Sequence, residues 1–300
     1  MATKKTQRKS GTRRRRGKSV SRIFSGKGYM IIILIITVAS GIWGYCSVKS
    51  DSGNQKIITS TAQTAAPHYD GLELARHSSS APHGSIIRLQ YTGFTMDFNN
   101  SNRTPDWVGW ELLADETDGP VKRSNKFWED SSIEFSPTPD DYRNSGFDKG
   151  HLCPSADQKW SEDAMHDCFV MTNMAPQDPS LNSGAWRTLE TKERLWAKRD
   201  SAIVIVAGPI YTDSDRKRIG DSGVRVPSAF FKVLLAPYTE YPRAIGFVYP
   251  NMHSPGNMAD YSMSVDEVEK ITGLDFFYNL PDDIEEKVER SASFKEWNRK

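Results

Sequence analysis

The first 27 residues contain no Asp or Glu, and the 21 that follow, Gly28 to Val48, contain no charge at all. Cysteine is scarce, at three in 300 residues, which excludes a disulfide-dense scaffold. No internal repeat is visible beyond the N-terminal region, so a solenoid or propeller is excluded as well. In place of acid, the leader holds eleven Lys and Arg, leaving 28 bases against 38 acids in the remainder. The formal charge of +1 therefore hides a strongly basic head on an acidic body, and a uniformly basic surface is excluded for that body.

About 20 apolar residues span a bilayer core, and "YMIIILIITVASGIWGYC" meets that length. A basic flank on its N-terminal side predicts a cytoplasmic N-terminus and an exported remainder. The expected division is a basic leader (1–28), a transmembrane signal-anchor (29–48), a polar tether (49–67) and a domain (68–300). Two rival readings stay open. Ala39–Ser40–Gly41 offers small residues for signal cleavage and secretion, and an Arg-rich, acid-poor leader also suits organelle targeting. Cys46 follows Trp43-Gly44-Tyr45, too bulky for an ordinary lipid-modification site. Arg13–Arg16 beside an apolar run suits topology and anionic lipid better than nucleic acid.

Strand candidates, rich in β-branched and aromatic residues, fall at Ser85–Phe98, Trp107–Leu113, Ala202–Ala207, Ala229–Ala236 and Ala244–Tyr249. A long helix is expected over Leu181–Lys198, where Leu181, Ala185, Leu189 and Trp196 form a buried stripe. Ser264 with Glu267 makes a capping box, and Pro281 opens a last helix. The expected fold is α+β with a mostly antiparallel sheet. Between strands and long helix, residues 136–174 are polar and loop-like, where sites often lie.

Within that stretch, "FDKGHLCPSAD" surrounds His151 with charge. His68, His77, His83 and His253 lack such company and read as structural. Three chemistries compete for His151. The pairs His151/Cys153 and His166/Cys168 offer a Cys₂His₂ zinc set, although H-x-C spacing is uncommon in closed zinc sites. Cys153 and Cys168 could equally form a disulfide in an exported domain, or stay free as buried thiols. Alternatively, a neutral imidazole, with an unperturbed pKa near ~6.5, is suited to general-base work. A base needs an electrophile. Asn182 and Glu190 on the expected helix, eight residues or about 12 Å of rise apart, cannot grip one ion directly but could share a hydrated one. Amide oxygen and carboxylate are hard donors suited to Mg²⁺. The competing role for Asn182 is a helix cap.

"FDKGHLCPSAD", "MTNMAPQDPSLNSGAWRTLE", "GPIY" and "VPSAFFKVLL" together resemble the DNA/RNA non-specific endonucleases, the sugar-non-specific ββα-metal nucleases, over about Ser85 to Tyr278. The resemblance implies a ββα-metal motif in the α+β domain, with a long helix carrying the metal ligand. It implies Mg²⁺-dependent hydrolysis of DNA and RNA (Mn²⁺ being an alternative ion) with His151 as general base. Asn182 is then the direct metal ligand, Glu190 holds a water of the ion's shell, and Asn173 supports the histidine. Arg123, in "VKRSNKF", matches a phosphate-contacting arginine. Lys149 stands where the family has Arg, keeping the charge but losing the bidentate fork. Such a site would cut with little sequence preference and leave 5′-phosphate ends. Basic candidates for backbone contact are Lys122, Arg123, Lys126, Arg143, Lys149, Lys159 and Arg187. A homodimer stays open, as do two non-enzymatic readings: a membrane-tethered nucleic-acid-binding protein and a structural zinc-binding surface protein.

Overall fold

Alternation along the strands decides the architecture. A computed structural model describes residues 68–78, 85–212, 214 and 216–299. The leader, the apolar run 29–48 and the tether lie outside the described residues, as does His83. Among the described residues no helix is long and apolar enough to cross a membrane.

The strands in chain order are β1 (Ile86–Tyr91), β2 (Phe94–Asn99), β3 (Thr104–Leu113), β4 (Asp148–His151), β5 (Met174–Gln177), β6 (Ala202–Ile210), β7 (Ala229–Ala236), β8 (Arg243–Pro250) and β9 (Ser262–Met263). Seven of them form one antiparallel sheet in the order β9-β8-β7-β6-β3-β2-β1. The run Ser85–Phe98 is a hairpin and not one strand. Gly93 takes a positive φ of 87° between β1 and β2, a conformation that costs glycine little.

Side chains of a strand alternate between faces, and both faces of this sheet are covered. One face gathers Val108, Trp110, Ile203, Ile205, Phe230, Leu234, Ile245 and Phe247. The other gathers Trp107, Val204, Val206, Phe231, Val233, Leu235 and Ala244. Double burial is why β6 and β7 read as continuous apolar runs. Each large aliphatic or aromatic side chain so buried contributes roughly 1.5–3 kcal/mol.

Against the first face lies the long helix. After a short helix, α1 (Glu162–Asp167), it begins as a short turn, α2 (Pro179–Leu181), passes through a π-type stretch at Asn182–Trp186, and continues as α3 (Arg187–Asp200). Its kink falls at Gly184, whose φ and ψ leave the helical region. Leu181, Leu189 and Trp196 are buried as the stripe required, while Ala185 packs at its edge. The second face is covered by α4 (Val265–Thr272), which carries the expected Ser264–Glu267 capping box, and by α5 (Asp282–Glu289), which follows Pro281. The architecture is α+β about a large antiparallel sheet, as read from the sequence.

Candidate active site

Apart from the large sheet, β4 and β5 pair antiparallel, with His151 opposite Met174 and Asp148 opposite Gln177. The helix follows two residues after β5, so two strands and a helix enclose the region around His151. Close pairing requires Gly150: a Cβ there would come within 2.6 Å of the Gln177 side chain. Asn251 anchors the strand-to-helix turn by accepting from the Asp178 amide (2.7 Å) and donating to the carbonyls of Pro176 and Pro227.

His151 sits against two phenylalanines, its ring centroid 5.6 Å from Phe127 and 4.9 Å from Phe169. Those rings carry the cations. Arg123 lies over Phe169 at 5.1 Å, and Lys149 lies over Phe127 at 4.9 Å. Arg123 also donates to Ser155 Oγ. Backbone bonds dock the Arg123–Trp128 segment here, from Trp128 N to Phe169 O (3.2 Å) and from Met171 N to Trp128 O (2.8 Å). Burial, then the Arg123 charge, drives the imidazole pKa down to about 3; Lys149 adds to this, while a bond to its backbone carbonyl opposes it. His151 Nε2 is buried and has no hydrogen-bond partner. A neutral imidazole leaves the lone pair of one ring nitrogen available to take a proton.

Asn173 is fully buried. Its amide accepts from Cys153 N (3.0 Å) and donates to the carbonyls of Cys153 and Cys168 (both 2.9 Å). These three bonds make it a positioning residue for the loop after His151, with no part of the amide left for substrate. The expected disulfide is absent. Cys153 and Cys168 are free, buried thiols: Cys153 Sγ accepts from Gln158, and Cys168 Sγ donates to the Met165 carbonyl (3.2 Å). The zinc reading is not met either, because among the described residues His151, Cys153, His166 and Cys168 do not converge as a metal-sized group. His166 instead stacks on Trp128 at 4.9 Å and pairs with Asp167.

The helix cap is Asp178, which accepts from the amides of Ser180 and Leu181. Asn182 is thereby released from capping. Its Nδ2 donates to Asp148 Oδ2 at 2.9 Å, which ties the helix to the strand of His151 and orients the amide. Glu190 lies farther along and shares no hydrogen bond with Asn182. It borders a buried charge cluster absent from the sequence reading. Lys232 of β7, fully buried, donates to Glu193 (2.9 Å) and lies 4.0 Å from Glu190. Asp157, also fully buried, accepts from Arg194 (2.9 Å) and Trp110 (3.2 Å). Three carboxylates thus face two cations. Lys232 stays charged through its carboxylate neighbours, against the cost of burial. Glu190, the acid without a close partner, is pushed up to about 7 by burial, with Glu193 and Asp157 adding to the effect and Lys232 opposing it.

That surplus carboxylate and the oriented amide are hard oxygen donors, and together they fit a hydrated Mg²⁺. Asn182 and Glu190 would hold the ion. Among the basic candidates, Lys122, Arg123 and Lys126 are exposed on the segment beside His151, and Arg187 is exposed at the start of α3. Lys149 and Lys159 are half-buried, and Arg143 is paired with Asp140 (2.6 Å). Lys232 was signalled by one charge inside the apolar run "AFFKVLL"; Asp148 and the Phe127–Phe169 pair had no such signal.

Known nucleases share this sequence and fold. The sequence model described as DNA/RNA non-specific endonuclease matches residues 73–283. The chain is 32% identical over 232 residues to the protein named "Nuclease EXOG, mitochondrial" of Mus musculus, covering 71% of this chain. It is 32% identical to a nuclease of Nostoc sp., covering 68% of this chain and 77% of that protein. The match spans 63, 59 and 56% of the mouse, Xenopus laevis and human EXOG proteins, less than two thirds of their length. Among solved structures, that of an EndoG/EndoGI complex superimposes with a TM-score of 0.61 at 28% identity, covering 67% of this chain and 88% of the matched one. With the family model matching more than half of the chain, residues 73–283, the chain belongs to the DNA/RNA non-specific endonuclease family.

Proposed function

We propose that this protein is a metal-dependent endonuclease that hydrolyses phosphodiester bonds of DNA and RNA. The observation that carries the proposal is His151: a neutral imidazole with an unpartnered Nε2, set against two phenylalanine rings that carry Arg123 and Lys149. In the mechanism, Nε2 takes a proton from a water aligned with the scissile P–O3′ bond. Arg123 and Lys149 stabilise the non-bridging oxygens as negative charge gathers there. Bound Mg²⁺ supplies charge neutralisation at the phosphate and the departing oxygen. Asn182, oriented by Asp148, and Glu190, left ionisable by the cluster around Lys232, provide the oxygen donors. Departure of the 3′-oxygen leaves the phosphate on the 5′ end. None of these groups reads a base edge, so cleavage follows the backbone with little sequence preference.

The basic surface needed for a polyanion is local: Lys122, Arg123 and Lys126 on one segment, despite the acidic balance of the domain. For the N-terminal region, the basic leader and apolar run 29–48 fit delivery to a membrane-bounded compartment. The mitochondrial names of the mouse and human relatives favour organelle targeting, whereas a membrane anchor rests on the composition of that run alone.

The test is incubation of the full chain with plasmid DNA and with RNA, in Mg²⁺ or in chelator, followed by end analysis. Expected are Mg²⁺-dependent degradation of both and products whose 5′ ends lose phosphate to a phosphatase. Chelator-resistant cleavage, or 3′-phosphate ends, would refute the mechanism.

A further inference from the structure

On the sheet face opposite α3, three carboxylates converge. Asp266 and Glu269 are one turn apart on α4, and Glu289 is the last residue of α5. One oxygen of each lies within 4.8 Å of the others. Both helices rest on the second core through Val265, Val268 and Val288, whereas the long helix of the active site belongs to the first. The cluster therefore shares no donor with Asn182 or Glu190.

Acidic groups often gather on surfaces without a ligand, but Glu289 is not at the surface. It is 6% exposed, and its Oε1 is buried without a hydrogen-bond partner. An orphaned carboxylate oxygen among further carboxylates is costly unless a cation or a proton joins it. After burial, the groups acting on it most strongly are Glu269, Glu285, Asp266 and Asp275, all acidic, and together these push its carboxyl up to about 9. Arg76 is engaged elsewhere, bonded to Asp275 (2.6 Å) and lying over Tyr278 (4.6 Å). Glu269 is already fixed, its Oε1 accepting from Phe276 N at 2.9 Å. An open cavity of about 550 Å³, lined in part by Asp266, Lys270 and Arg290, gives solvent a way to the cluster.

We propose that Asp266, Glu269 and Glu289 form a second, non-catalytic site for a hard divalent cation, with Ca²⁺ as its probe, that fastens α4 to α5. Oxygen-only donors of high negative charge call for a hard divalent cation. Carboxylate oxygens that lie within 4.8 Å of one another are close enough to close on one such ion.

The test uses the full chain stripped of metal with EDTA and dialysed, titrated calorimetrically with CaCl₂ and followed by thermal unfolding. Wild type and N182A should each take up Ca²⁺ at this site, and Tm should rise with Ca²⁺. E289Q and D266N should raise Kd by about tenfold or more. If E289Q does not fold, D266N at its half-exposed position decides. The proposal is overturned if N182A binds no Ca²⁺, or if D266N and E289Q bind it as wild type does.

Discussion

Asn182 Nδ2 donates to Asp148 Oδ2 at 2.9 Å, across 34 residues of sequence, and joins the start of the long helix to the strand that ends in His151. The bond fixes which way the amide faces and leaves its oxygen for a cation. Replacing Asp148 by Ala should therefore act through the metal. The Mg²⁺ concentration for half-maximal cleavage should rise about 10–100-fold, as for other residues that orient a ligand. A Mg²⁺ titration checks this, and an unchanged midpoint in D148A would disconnect the bond from metal binding.

The pH dependence should belong to Glu190 and not to the histidine. His151, held down to about 3, stays neutral through the range in which an ordinary imidazole titrates. Glu190, pushed up to about 7, protonates there and loses its negative charge. At low Mg²⁺ cleavage should fall as pH drops through about 7, and saturating Mg²⁺ should move that fall to lower pH by competing with the proton. In E190Q the slower reaction should show no such limb. A limb that persists in E190Q would return the titration to another group.

The same shifts have opposite effects on stability. Glu190 binds its proton more tightly folded than unfolded, so its contribution is present in acid and is lost as pH rises through about 7. His151 contributes above its unfolded value near ~6.5, and that contribution is lost as pH falls toward about 3. Urea unfolding of H151F should thus depend less on pH between 6 and 4 than that of wild type. Identical slopes would contradict the depressed imidazole.

Lys232 and Glu193 are both fully buried and pair at 2.9 Å. Removing one partner of such a pair leaves an uncompensated charge and costs about 3–5 kcal/mol. K232M should lose stability of that order in urea, and K232M with E193M should recover much of it. A loss below about 1 kcal/mol in K232M would mean that the surrounding carboxylates simply take up protons.

Of the two pairings weighed for Cys153 and Cys168, neither forms. Reductant should leave Tm unchanged, and Cys153 and Cys168 should both react with a thiol reagent once the chain is unfolded without reductant. A stability loss on reduction near ~3 kcal/mol would instead reveal a disulfide.

The strands and the stripe on the long helix were legible because their signal is local: apolar runs at 202–210 and 229–236, and buried spacing from Leu181 to Trp196. His151, Asn182 and Glu190 were legible only through motif order, since nothing in a one-dimensional chain shows that Asp148 will meet Asn182. Asn182 resembled a cap until Asp178, four residues earlier, proved to hold that place. The turn at Gly93 was masked by apolar residues on both sides of it. Lys232 was visible as a lone charge in an apolar strand, but its partners come from a helix 39 and 42 residues away. Cysteine spacing carries no information on where the thiols point, and Asn173 holds both cysteine carbonyls in a loop that leaves the sulfurs separately bonded.

Single-turnover cleavage by H151A, at saturating Mg²⁺ and with substrate binding and circular dichroism monitored in parallel, tests the account most directly. The predicted result is a rate lower by about 10²–10⁴ with fold and binding retained, as expected for loss of a general base. A rate within tenfold of wild type would show that another group takes the proton, and that His151 is not the base.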